Sequence, residues 1–158
     1  MNTRILIIVL FVIASMACNS TRKSKSETVN NAEQNMPVND DLISEKYWKL
    51  KTLEGRQITM KENQEREIYF ILKNSENRVQ GFAGCNTING TYTLEKGNRI
   101  RFSQMATTMK LCPDVAVNES EFLEVFKLAD NYTLVNDTLS LNVGRRAPLA
   151  VFEAVYFK

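Results

Sequence analysis

From residue 47 to the end of the chain, short runs alternate apolar and polar residues, and turn signals separate the runs. This pattern constrains the fold most, because successive side chains of a strand point to opposite faces of a sheet. YWKLKTL (47–53) places Trp48, Leu50 and, after a one-residue slip, Leu53 on one side. REIYFILK (66–73) sets Ile68, Phe70 and Leu72 against Tyr69 and Ile71, and RVQGFAG (78–84) is a weaker run. GTYTLE (90–95) and RIRFS (99–103) flank Lys96-Gly97-Asn98, a hairpin loop with a glycine available for a left-handed position. NYTLV (131–135) and TLSLNV (138–143) flank Asn136-Asp137, which suits a two-residue hairpin, and PLAVFEAVYF (148–157) closes the chain as a strand. Strands of regular length with turns between them predict an antiparallel sheet.

One segment breaks the pattern. VNESEFLEVFKLAD (117–130) repeats Phe122, Val125, Phe126 and Ala129 at helical spacing, with Leu123 and Leu128 widening the face. Asn118 suits an N-cap and Glu121 completes a variant capping box, while Glu119 and Glu121 suit the positive end of the helix dipole. Pro113 stops an earlier helix from continuing into this one. The expected class is therefore α+β: a mostly antiparallel sheet with one amphipathic helix packed on it or plugging it.

The N-terminus has a different character. Arg4 is followed by an unbroken apolar run, Ile5–Ala14, then by Ser15, Met16, Ala17 and Cys18. The run falls short of the about 20 residues a membrane-spanning helix needs and has the length and flanks of a secretory signal. Small residues leading into a cysteine resemble a bacterial lipobox, with Ser15 where leucine is usual. Residues 1–17 are expected to be a signal peptide and Cys18 a lipidated residue, anchoring the protein to a membrane through its acyl chains. Residues 18–43, polar and without apolar period, read as a tether, and 44–158 as the folded domain. Charges of both signs are interspersed and the formal net charge is only +2, so nucleic acid is not an expected partner.

Three of the six glycines, Gly81, Gly84 and Gly90, surround Cys85 and Asn86 in GFAGCNTING. The glycines are read as letting the backbone bend out of one strand and into the next, with Asn86 as the polar cap of the turn. With Cys18 acylated, Cys85 and Cys112 remain in an oxidising compartment, and the even count points to a disulfide. Closing a loop of about 28 residues contributes about 3.6 kcal/mol in the chain-entropy model. Two buried free thiols are the rival reading.

Other chemistry is thinly supplied. The chain has no histidine, which excludes Ser-His-Asp and Cys-His nucleophiles and the usual zinc sites. Glu119, Glu121 and Glu124 read as solvated helix charges. Met105, Met109 and Cys112 offer soft ligands for Cu(I), but methionines more often fill a core, and the spacing matches no metal motif. No catalytic residue, cofactor or metal site is expected.

The pattern Trp48-x-Leu50, Gly55, Gly81-x-x-Gly84-Cys85-Asn86, Gly90-x-Tyr92, Ala106-Thr107-Thr108 with Cys112-Pro113, and Glu119-x-x-Phe122-Leu123 resembles the META domain, or HslJ-like, family over about residues 46–153. Here Met109 precedes Lys110, whereas the family usually has the basic residue first. The resemblance implies a fold similar to the open, cracked β-barrel of secretin-pilot lipoproteins, with a helix inserted between strands. It implies a small non-enzymatic envelope protein linked to stress or drug tolerance. Together with the N-terminus, it leads to a lipid-anchored protein of the cell envelope, facing the periplasm from the outer membrane. Its barrel would bind an envelope protein, a peptide or a lipid, through a sheet edge or an apolar interior. The alternative is a thiol redox or soft-metal handling protein that uses Cys85, Cys112 and Met109.

The lipobox reading predicts that Cys18 carries acyl chains in the membrane-associated protein. Mass spectrometry of that form should find Cys18 modified and N-terminal, and Cys18→Ser should leave the precursor uncut or release the domain. An unmodified Cys18 in the membrane fraction contradicts it.

Overall fold

The first long strand pairs with the last, and this closes the sheet. The computed structural model describes residues 40–62, 64–112 and 117–157. Its elements are a short helix α1 (Asp40–Ile43), β1 (Tyr47–Leu53), β2 (Arg56–Gln57), β3 (Tyr69–Lys73), β4 (Arg78–Phe82), β5 (Thr87–Glu95), β6 (Arg99–Thr107), α2 (Glu119–Leu128), β7 (Asn131–Val135), β8 (Thr138–Asn142) and β9 (Ala150–Val155). The order is β2-β1-β3-β4-β5-β6-β7-β8-β9, with β1 also pairing β9. All pairings are antiparallel. β2 is a two-residue extension folded back on β1, so the ring itself has eight strands and full closure removes most of its edge.

The alternation becomes burial. Trp48, Leu50 and Leu53 of β1 all face the core. The slip that brings Leu53 inward is a register shift against β9 between Leu50 and Thr52. Phe70 and Leu72 of β3, Leu139 and Leu141 of β8, and Ala150 and Phe152 of β9 fill the same interior. The expected two-residue hairpin forms, with Val135 opposite Thr138 and Asn136 at φ 53°. The Lys96–Asn98 loop joins β5 to β6 where Glu95 pairs Arg99.

The ring has one weak seam. β6 and β7 share a single paired position, Arg99 with Asn131, flanked by hydrogen bonds from Ile100 N to Asp130 O (3.3 Å) and from Tyr132 N to Asn98 O (2.9 Å). Helix α2 lies between these strands in sequence and packs on β6. It sends Phe122, Val125 and Phe126 into the core. There five phenylalanines meet mostly edge to face: Phe126 lies 5.0 Å from Phe102, 5.2 Å from Phe122 and 5.5 Å from Phe70, and Phe70 lies 4.8 Å from Phe152. Such pairs add to simple area burial because ring edges and faces carry opposite partial charge. These side chains occupy the interior of the ring. The expected α+β architecture is observed as a closed eight-stranded ring with a weak β6–β7 seam and one helix packed on β6.

Some boundaries differ from expectation. β6 runs on to Thr107, four residues past the alternating run. Gln104 is left-handed (φ 51°) and the register against β5 shifts between Asn89 and Thr91, so this bulge hides the strand from a period-two reading. At the other end, Ile43 is fully buried and its carbonyl accepts the Trp48 Nε1 hydrogen bond (2.7 Å). The last residues of the expected tether therefore belong to the core. Residues 1–39, with Cys18 and the signal segment, lie outside the described residues, as does Pro113.

Because Phe126 joins three aromatic partners, Phe126→Ala should cost about 3–5 kcal/mol. Denaturant unfolding checks this, with the exposed Glu124→Ala as a control expected to move stability by less than about 0.5 kcal/mol. Equal effects would mean that α2 is peripheral.

Candidate functional site

The residues around Cys85 divide into those that shape the backbone and those that tie it down. Gly84 (φ 100°) makes the turn between β4 and β5, closed by a hydrogen bond from Ala83 N to Asn86 O (2.8 Å). Gly81 and Gly90 do not belong to that bend, contrary to expectation; they lie inside β4 and β5. A Cβ at Gly81 would sit 2.4 Å from Tyr69 O, and one at Gly90 would collide with the Met105 sulfur and lie 3.1 Å from Ser103 O. Gly81 is there because neighbouring backbone approaches closely, and Gly90 because the Met105 side chain of β6 packs over it.

Asn86 is only 3% exposed, and its side chain reaches far beyond its own turn. Oδ1 accepts hydrogen bonds from Lys110 N (2.7 Å) and Thr108 Oγ1 (2.8 Å). Nδ2 donates to Lys110 O (3.2 Å) and to the Glu119 carboxylate (2.7 Å), and Asn86 N donates to the same carboxylate (2.9 Å). The amide thus pairs with both ends of the Lys110 residue much as a neighbouring strand would. Thr87 N donates to Thr108 Oγ1 (3.1 Å) and Thr108 N returns to Thr87 O (3.1 Å). One buried side chain joins the β4–β5 turn, the segment after β6 and the first turn of α2. The expected local turn cap is replaced by this long-range role.

The disulfide doubles the link. Cys85 and Cys112 are joined, with Cα atoms 5.8 Å apart and a sequence separation of 27. Cys85 is 7% exposed, whereas Cys112 lies on the exposed segment. Thr108, Lys110 and Cys112 are therefore each held to the barrel, and the residues between them project outward. Met109 is 95% exposed and Leu111 100%. Lys110, between them, adds a smaller pull to that of Arg66 in holding the Glu65 carboxyl below its ordinary range; the hydrogen bond and charge of Arg66 come first.

Several expectations change here. Met105 packs against the core, but Met109 does not fill it. Glu119 is not a solvated charge; it receives Asn86. Glu121 does not close a capping box and instead pairs with Arg56 of β2, while Asn118 Oδ1 caps the helix by accepting from Ser120 N (3.0 Å). Among the described residues no three His, Cys, Asp or Glu side chains gather as a metal site would require. The Asn86–Glu119 pair was missed because nothing local in the sequence connects residues 33 positions apart; the motif pieces held both residues without their relation.

The geometry defines a class: a small eight-stranded barrel with one helix packed on it and a disulfide-pinned apolar tip. The META domain family model matches residues 40–156, and the chain belongs to that family. Two solved structures share the fold with TM-scores of 0.57. One is an NMR structure of a protein from Burkholderia xenovorans, 20% identical over 73% of this chain and 85% of that one. The other, also from NMR, is 16% identical over 72% of this chain and 92% of its own. Among curated proteins, none matches the chain significantly.

The barrel core lies apart from the disulfide, so reduction should lower stability by about 2–4 kcal/mol and leave the protein folded. Unfolding with and without reductant, with peptide mapping of the oxidised protein, checks this. Recovery of Cys85 and Cys112 in separate alkylatable peptides is the contrary result.

Proposed function

We propose that the protein is a non-enzymatic module of the cell envelope, held by acyl chains on Cys18, whose barrel presents the 109–111 tip to a binding partner. One observation carries this reading. Two large apolar side chains stand in solvent on a segment that is otherwise fastened by a disulfide and a buried amide. Exposed apolar groups on a fixed support favour binding, because little conformational entropy remains to be lost on association. Support of the envelope under stress is the role proposed for that binding. A soft-metal role for Cys85, Cys112 and Met109 asks for free thiolates, and the joining of the two cysteines counts against it; a thiol redox role is the second reading, tested by the reduction experiment above.

The double substitution Met109→Ala/Leu111→Ala separates binding from folding. Both residues are exposed, so the unfolding free energy should stay within about 0.5 kcal/mol of the parent. Cells carrying only this variant should lose the envelope-stress tolerance that the parent protein restores to a deletion strain. Full restoration by the variant contradicts the proposal.

A further inference from the structure

We infer that the Met109-Lys110-Leu111 tip inserts into the interfacial layer of the bilayer that carries the protein. The inference rests on the binding role just proposed and names its partner. The patch is too small for a protein: a specific interface takes about 800 Å² and some 20–30 residues from each side. Here the outward apolar side chains of the pinned segment are two, Met109 and Leu111. A bilayer asks for no shape complement, only for apolar groups that reach the acyl boundary and a polar neighbour that stays among the headgroups.

Lys110 meets that second condition. Its peptide group is bound to Asn86, so the backbone is fixed, while the side chain is exposed. A lysine stem lies along apolar surface and keeps its ammonium in water or among phosphates. Glu65 and Arg66 pair with each other, so the remaining charges at this end are the outward Lys110 and the half-buried Glu119 carboxylate that Asn86 holds behind it. An apolar–cationic–apolar triplet on a rigid turn suits an anionic membrane surface.

The chain itself limits what the tip meets. Cys18 precedes Asp40 by about 22 residues, so an acyl anchor there holds the domain within roughly 75 Å of the bilayer even at full extension. The membrane is then always within reach of the tip. Insertion would turn the domain so that the 83–86 turn and the start of α2, both tied to the tip through Asn86, face the lipid.

The test uses full-length protein purified from the membrane fraction and reconstituted in phosphatidylethanolamine–phosphatidylglycerol vesicles whose acyl chains are brominated. Leu111→Trp places a reporter at the tip, Met109→Trp repeats it, and Lys96→Trp is the control. Residue 96 lies in the hairpin at the far end of β6, roughly 30 Å away at about 3.4 Å per residue. Trp48 is buried and gives a constant background, subtracted with the unsubstituted protein. The expected result is blue-shifted emission quenched by bromine at 111 and 109, and unshifted, unquenched emission at 96. Equal quenching at all three positions, or none at 111 and 109, overturns the inference. The mass of Cys18 in the same sample keeps the two proposals apart. Acylated Cys18 with an unquenched tip sinks only the insertion. A quenched tip on vesicle-bound protein with unmodified Cys18 sinks only the anchor. Unmodified Cys18 with an unquenched tip sinks both.

Discussion

A buried amide that fails to find its partners costs about 1–3 kcal/mol for each polar group left over, and Asn86 avoids that cost only where three separate pieces of chain meet. Its oxygen takes the Lys110 amide and the Thr108 hydroxyl, and its nitrogen takes the Lys110 carbonyl and the Glu119 carboxylate. Each partner lies more than 20 residues away in sequence. The β4–β5 turn, the end of β6 and the start of α2 are therefore placed together or not at all. Among the described residues no buried side-chain nitrogen or oxygen is left without a partner, so the network is complete and not half-satisfied. The Cys85–Cys112 bond fastens the same two segments covalently, one residue before Asn86 and two after Lys110.

This junction explains the helix as well. A ring of strands with a one-pair seam between β6 and β7 needs something to fill the gap, and α2 supplies Phe122 and Phe126. Its N-terminal turn is held by Asn118, by the Glu121–Arg56 pair and by Glu119 on Asn86. Glu119 and Glu121 also sit where the helix dipole favours negative charge. The helix is thus oriented by polar contacts at one end and by ring packing along its length.

Much of this was legible in the chain. Period-two alternation located the long strands, down to the slip that turns Leu53 inward, and 3.6-residue spacing located α2 and its buried phenylalanines. Local rules reached less far wherever a residue's reason lay elsewhere in the molecule. Gln104 hides the end of β6 because a bulge breaks the alternation. Gly81 and Gly90 look like turn glycines, but the constraint on each comes from the neighbouring strand. Asn86 and Glu119 are polar residues with plausible local uses, a turn cap and a helix-dipole charge, and only the closed barrel brings them together. Met109 resembled a core methionine because composition cannot tell which way a pinned segment faces.

The central claim is that the 108–112 segment, though exposed, is as fixed as the strands beside it, because Asn86 and the disulfide hold it. Amide hydrogen exchange at Lys110 tests this most directly. Its N–H lies on a solvent-exposed segment outside any strand, where exchange is ordinarily fast. If the Asn86 Oδ1 bond persists, Lys110 should exchange as slowly as the paired amides of β5 and should lose that protection selectively in Asn86→Ala. Rapid exchange at Lys110 in the oxidised parent protein would contradict the account.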